Sequence, residues 1–128
     1  MSATEIQPQN DDDIEREAEP PTVDLPLGHP KLASVKEALR TVFDPEIPVN
    51  IYELGLIYKV AFDGENNVSI RMTLTAPGCP VAGEMPEQVR EAVAMVDGVG
   101  AVDVELVWEP AWTPGLMAET AKLQLGMF

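Results

Sequence analysis

The sequence predicts an α+β fold: a two-layer α-β-β-α-β-α domain with a three-stranded mixed sheet covered by helices on one face. Three observations predict it. Three stretches alternate apolar and polar residues at the period of a half-buried strand. Three others carry apolar residues at helical spacing between proline, glycine and capping residues. The first two strand stretches are joined by a short turn, whereas the second and third are separated by a helical stretch. The first pair is therefore an antiparallel hairpin, and the second pair runs parallel through a crossover.

The first helix is expected over 31–43, where Leu32, Val35, Leu39, Val42 and Phe43 share one face. Ser34 and Glu37 have the spacing of a capping box, so the start could fall as late as Ser34. Pro45 disfavours helix at Asp44 and ends the element by Phe43. An irregular loop, Asp44-Pro45-Glu46-Ile47-Pro48-Val49-Asn50, follows. The first strand is expected at 54–63, with Leu56, Tyr58, Val60 and Phe62 on one face. Asp63-Gly64-Glu65-Asn66-Asn67 makes the hairpin turn. The second strand, 68–75, points Val68, Ile70, Met72 and Leu74 inward, and Ser69, Arg71, Thr73 and Thr75 toward water or a partner. A second helix carries Met85, Val89, Ala92, Val93 and Val96 on its apolar stripe and stops at Gly98. It either begins at Pro80 and is kinked by Pro86, or has its regular part opened by Pro86. The third strand, 101–108, sets Val102, Val104, Leu106 and Trp108 against Asp103 and Glu105. A last helix runs from Pro114 to Leu125, with Thr113 as its cap, Gly126 after its end, and Trp112 and Met117 spaced as a hydrophobic staple.

Residues 1–30 read as an acidic, proline-rich disordered tail and residues 31–128 as the folded domain. The tail holds Asn10-Asp11-Asp12-Asp13, Pro20-Pro21, Pro26 and Pro30, and shows no helical or strand period. His29, the single histidine, reads as a linker residue. The chain has 22 acids against 8 bases, a net charge of −14. Such a surface repels phosphate backbones and anionic lipid, which argues against nucleic acid and membrane as partners. One cysteine cannot form an internal disulfide, no signal-peptide pattern opens the chain, and no apolar run has the ~18 residues of a membrane span. The expected compartment is the cytoplasm.

The predicted topology brings three loops to one edge of the sheet: Asp44–Asn50, Thr75–Pro80 and Glu109–Thr113. Gathered there would be Cys79, Asp44, Glu46, Thr75, Glu109 and Trp112. Cys79 lies in Thr75-Ala76-Pro77-Gly78-Cys79-Pro80, between a strand pattern and a helical one. A helix N-terminus there would favour its thiolate; burial as a small apolar residue is the alternative. Asp44 before proline is also a common turn residue, Glu46 could be a solvated charge, and Trp112 suits packing. A hydrolase needs a base beside the thiol, and a dithiol oxidoreductase needs a second cysteine; neither is offered. One thiolate with carboxylates falls short of a stable zinc site. What survives is a soft ligand with hard oxygen neighbours. It could hold a metal or metal–sulfur species weakly, share it across a dimer, or present the thiolate to a partner.

The run Asp44-Pro45-Glu46-Ile47-Pro48-Val49-Asn50-Ile51-Tyr52-Glu53-Leu54-Gly55-Leu56-Ile57-Tyr58 and the run Met72-Thr73-Leu74-Thr75-Ala76-Pro77-Gly78-Cys79-Pro80 resemble the metal–sulfur cluster biosynthesis (iron–sulfur cluster assembly) family. The resemblance covers about residues 34–126. The ending, Trp112-Thr113-Pro114 through Leu125-Gly126-Met127-Phe128, resembles the SufT branch. The resemblance implies an accessory factor in iron–sulfur cluster assembly or delivery, without enzymatic turnover. It places the functional cysteine at Cys79 and the acidic loop residue at Asp44, with Glu46 beside it. A transient iron–sulfur cluster or iron is the implied cofactor. The implied partners are scaffold or carrier proteins and client apoproteins, with a homodimer also compatible. The competing readings are an interaction module that binds no metal, or an oxygenase-complex accessory subunit, with Cys79 structural. The cysteine-rich C-terminal segment of the oxygenase-type members is missing here.

Overall fold

The computed structural model describes residues 20–21, 23–44, 47–75 and 84–126. Helix α1 (Leu32–Leu39) is followed by β1 (Ile57–Phe62), β2 (Val68–Met72), α2 (Met85–Ala94), β3 (Val102–Leu106), a 3-10 turn (Pro114–Leu116) and α3 (Glu119–Gln124). The expected order α-β-β-α-β-α is the order observed. β2 lies at the centre of the sheet, antiparallel to β1 and parallel to β3. The register pairs Val60 with Ile70 and Ile70 with Val104. One row of apolar side chains therefore crosses all three strands, facing the helices. Leu32, Val35 and Leu39 of α1 and Met85, Val89 and Val93 of α2 close the core over Val60, Val68, Ile70 and Met72. Each such side chain contributes about 1.5–3 kcal/mol when fully buried.

The hairpin turn is held by its own polar side chains. The Asp63 carboxylate accepts from the Glu65 and Asn67 N–H groups at 2.8 and 3.0 Å and from the Asn67 amide at 2.9 Å. Asn66 adopts φ +65°, a left-handed conformation that asparagine tolerates. Asn67 Oδ1 also accepts from Ala101 N–H at 2.7 Å, tying the turn to the start of β3.

Several expected details differ. α1 stops at Leu39, not Phe43, and Arg40, Thr41 and Val42 continue as single turns bonded three or four residues back. Phe43 instead pairs with Asn50, which pulls the chain out of the helix. Ser34 lies inside α1, and no side chain caps the start; His29 Nδ1 accepts from Lys31 N–H at 3.1 Å just before it. β1 begins at Ile57, because residues 51–55 form a turn. A register shift between Ile57 and Lys59 marks a bulge at Tyr58. Ile57 pairs with the buried Met72 and takes the core position expected of Tyr58. β2 ends at Met72, and Thr73 is buried, not exposed, because its N–H bonds Leu56 O at 2.9 Å beyond the ladder. α2 has its regular part at Met85, with Pro86 in its first turn, the second of the two expected starts. It ends at Ala94, short of Gly98. Trp108 lies past the end of β3 and is largely exposed.

The last helix is split. Met117 is extended at ψ 148°, and Ala118 N–H is taken by Glu53 O at 2.8 Å, so helical bonding restarts at Glu119. Thr113 makes no side-chain cap. The expected boundary at 30/31 also moves. Val23 and Leu25 are buried in the core, and Asp24 is a one-residue parallel bridge to Lys59. Asp24 N–H donates to Tyr58 O, and Val60 N–H donates to Asp24 O, both at 2.9 Å. His29 stacks on Phe62, ring centroids 3.8 Å apart. Residues 23–30 thus belong to the folded unit; residues 1–19 lie outside the described residues.

Candidate functional site

The edge where β1 begins and β2 and β3 end is tied by main-chain bonds. Thr73 N–H donates to Leu56 O at 2.9 Å, Leu56 N–H to Ile51 O at 3.2 Å and Ile51 N–H to Val42 O at 2.8 Å. Val107 N–H donates to Met72 O at 2.8 Å. The ends of the first, second and third loops are thereby fixed to one another.

Asn50 Oδ1 accepts from Glu53 N–H at 2.9 Å and starts the 51–55 turn. Glu53 in turn meets Arg40 at 3.4 Å, and that guanidinium lies 5.0 Å above the Tyr52 ring. Gly55 closes the turn at φ +90°, and a Cβ there would stand 2.3 Å from Leu116 O. Only glycine satisfies both the left-handed backbone and this close approach. Trp112 Nε1–H donates to Leu54 O at 2.8 Å, so the segment after β3 is latched to the same turn. Trp112 therefore acts as an anchor, with its indole against the core and its N–H satisfied.

Asp44 is buried, 8% exposed, and its Oδ1 accepts from Ile47 N–H at 2.9 Å. The carboxylate holds the loop in the manner of an Asx turn. Thr75 is half-buried and Glu109 exposed at the ends of β2 and β3. Cys79 and Glu46 lie outside the described residues, as does the Pro77–Pro80 turn expected to carry the thiol. Among the described residues, no three histidine, cysteine, aspartate or glutamate side chains come together as a metal site.

Beside this edge the structure shows an arrangement that strand alternation conceals. Asp24, Tyr58, Lys59, Arg71, Glu109 and Pro110 line a depression of about 280 Å³. The bulge brings Tyr58 next to Lys59, and its hydroxyl donates to Pro110 O at 2.7 Å. Burial raises the Tyr58 hydroxyl above the usual tyrosine value, so it stays a donor. Lys59 and Arg71 stand opposite each other across the β1–β2 pair, a repulsive placement that Glu105, 3.3 Å from Arg71, offsets in part, while Asp24 and Glu109 line the same depression. Lys59 falls on the outward side of the expected alternation as well, so nothing local in the sequence marks this arrangement.

Two buried hydroxyls also lie in this part of the chain. Among the described residues, Tyr52 and Thr73 have no hydrogen-bond partner for their side-chain oxygen.

Residues 32–105, more than half of the chain, match the family described as "Iron-sulfur cluster assembly protein". The chain is 52% identical over 88 residues to an Fe-S protein maturation auxiliary factor of Porphyromonas gingivalis, covering 69% of this chain and 84% of that protein. It is 40% identical over 86 residues to the Fe-S protein maturation auxiliary factor SufT of Staphylococcus aureus, covering 67% of this chain and 98% of that protein. Among solved structures, a domain of unknown function, DUF59, from Bacillus anthracis superposes with a TM-score of 0.69 at 38% identity. That match covers 75% of this chain and 92% of the other.

Proposed function

The chain belongs to the iron–sulfur cluster assembly protein family, and from that premise we propose that the loop edge of its sheet is where cargo is handled. The protein is a SufT-like factor in iron–sulfur cluster assembly or delivery. In this proposal Cys79 is the thiolate ligand of the cargo, which is a transient iron–sulfur cluster or iron, and Asp44 and Glu46 supply oxygen. One soft donor with hard neighbours holds iron weakly, as a hand-off requires and storage does not. Thr75, Glu109 and Trp112 support the loops. The protein performs no turnover of its own, works in the cytoplasm, and meets scaffold or carrier proteins and client apoproteins. A homodimer would let two thiolates share one cluster. The acidic run before Pro20 is read, from its sequence alone, as a solubilising tail.

The observation that carries this reading is the set of bonds that locks the 51–56 turn, the end of β2 and the 112–118 segment into one edge. These are Thr73 to Leu56, Leu56 to Ile51, Trp112 to Leu54 and Ala118 to Glu53. Such stiffness is what a ligand set needs if it is to be pre-positioned. A second reading rests on the Asp44–Ile47 hydrogen bond: Asp44 shapes the loop, and Cys79 alone meets the cargo.

The test compares Cys79→Ser, Asp44→Asn and Asp44→Ala in a strain lacking the native protein. Client iron–sulfur enzyme activity is measured with abundance checked by immunoblot. The proposal expects loss with Cys79→Ser and with Asp44→Asn. Asparagine keeps the turn acceptor, so normal activity for Asp44→Asn with loss for Asp44→Ala assigns Asp44 to the loop alone. Normal client activity with Cys79→Ser overturns the ligand assignment. Anaerobic reconstitution with iron and sulfide, followed by metal analysis, reads cargo binding directly.

A further inference from the structure

The two edges of the sheet are treated differently. The β1 edge is covered by Val23–Leu25 through the paired bonds of Asp24 with Tyr58 and Val60. The β3 edge has no strand pairing among the described residues. The parallel register decides which groups it presents. Val68 N–H bonds Ala101 O, and Val107 N–H bonds Met72 O, so residues 101, 103, 105 and 107 face β2. The N–H and C=O groups of Val102, Val104 and Leu106 are turned to the outside. An unpaired edge of this kind is a template for another strand.

Side chains along β3 set what can pair there. Val102, Val104 and Leu106 are only half-buried, packed on the core side, and Trp108 continues their alternation with 40% exposure. Asp103 and Glu105 are exposed on the opposite face. Arg71 meets Glu105 at 3.3 Å and offsets one of these charges.

We propose that β3 is a docking edge onto which a partner protein adds an extended segment of alternating apolar and basic residues. Main-chain bonds to Val102, Val104 and Leu106 give the attachment, apolar residues continue the Val-Val-Leu-Trp stripe, and basic residues meet Asp103 and Glu105. A second copy of this chain fits poorly. Two-fold antiparallel pairing centred on Val104 sets Asp103 against Glu105 of the copy. Centring it on Asp103 or Glu105 sets each acid against itself. The acidic residues before Pro20 carry the same sign as the edge. Because β3 runs toward the loop edge, a segment added along it brings the partner to the site assigned above. The partner's identity as a client or carrier rests on that reading; the docking itself is independent of iron.

The experiment uses the full chain and a peptide of alternating valine and lysine about as long as β3, with a valine–glutamate peptide as counterpart. Binding is followed by calorimetry and by amide hydrogen exchange. The valine–lysine peptide is expected to bind, to protect the Val102, Val104 and Leu106 amides, and to be preferred over its counterpart. Val104→Pro removes one outward donor without changing charge and is tolerated at an edge; it should weaken binding about tenfold, equivalent to ~1.4 kcal/mol. Because proline could disturb the strand, the double variant Asp103→Lys, Glu105→Lys provides a second measure: it should reverse the peptide preference. Protection elsewhere than β3, equal binding of both peptides, or peptide-free self-association that protects β3 each overturns the proposal. A chain with Cys79→Ser should still bind the peptide, so docking and cargo handling fail separately.

Discussion

Replacing Gly55 by alanine tests whether the loop edge is held by a single close approach. The variant meets two penalties. Alanine at φ +90° is in a left-handed region that costs ~1–2 kcal/mol. Its Cβ would also sit 2.3 Å from the Leu116 carbonyl oxygen, a backbone atom that moves only if the 112–118 segment moves. That displacement breaks the Trp112–Leu54 and Ala118–Glu53 hydrogen bonds, each worth ~0.5–1.5 kcal/mol net. The sum is about 2–5 kcal/mol, a large share of the ~5–15 kcal/mol that holds a domain. Gly28→Ala is the internal control. Gly28 has φ +88° but, among the described residues, nothing within 4 Å of a Cβ, so it bears the backbone penalty alone. Urea unfolding of both variants, with tryptophan fluorescence as the probe, gives the two losses. Gly55→Ala should lose ~1–3 kcal/mol more than Gly28→Ala, with Trp112 emission red-shifted before global unfolding. Equal losses in the two variants would refute the steric part of the reasoning.

Three further expectations follow from packing and charge. Removing residues 1–28 should destabilise the fold by about 3 kcal/mol, since Val23 and Leu25 leave the core, whereas removing 1–19 should leave the melting temperature nearly unchanged. A deletion of 1–28 that melts like the full chain would mean that the β1-edge packing contributes nothing. Thr73→Val and Tyr52→Phe each delete a buried hydroxyl that has no partner among the described residues and should be neutral or stabilising by about 1 kcal/mol in urea titrations; a loss of that size would show that the hydroxyl is bonded in solution. The Asp63 carboxyl titrates below the ordinary aspartate value of 3.8, because the Asn67 amide and the Glu65 and Asn67 N–H groups donate to it. Its contribution is therefore present above the unfolded-state value and lost as pH falls through the lower folded one. Glu65 and Asn67 amide shifts that stay constant from about pH 5 to about pH 2 would contradict this.

Strand alternation carried most of the fold. Val68-Ser-Ile-Arg-Met and Val102-Asp-Val-Glu-Leu each bury one face of the sheet, and a turn between β1 and β2 with a helix between β2 and β3 leaves a single plausible pairing. What stayed hidden was set by distant contacts. Val23 and Leu25 have strand spacing, but two residues between prolines form too short a pattern to read without seeing the open β1 edge. The bulge at Tyr58 leaves no local mark, because Ile57 and Tyr58 are both apolar enough to face the core. The break at Met117 exists because Glu53 takes the Ala118 N–H, a contact 65 residues away in sequence. At the site, the convergence of loop ends was legible from topology alone, and the Asp44 turn from its place before proline. Trp112 as a hydrogen-bonded anchor was not, since the acceptor is a main-chain carbonyl that any residue could supply. Cys79 and Glu46 lie outside the described residues, and their part in the site stays a proposal.

The paired bonds of Asp24 have a consequence for stoichiometry. A sheet with two bare edges can lengthen in both directions, and each added unit offers a fresh edge to the next. Here one side is closed by the chain's own backbone, so growth by strand addition can proceed from a single side. One docked segment uses up that side, so strand addition of this kind is limited to one partner per chain. Deleting the short segment around Asp24 would bare the β1 side as well and raise the number of segments one chain can take up from one to two.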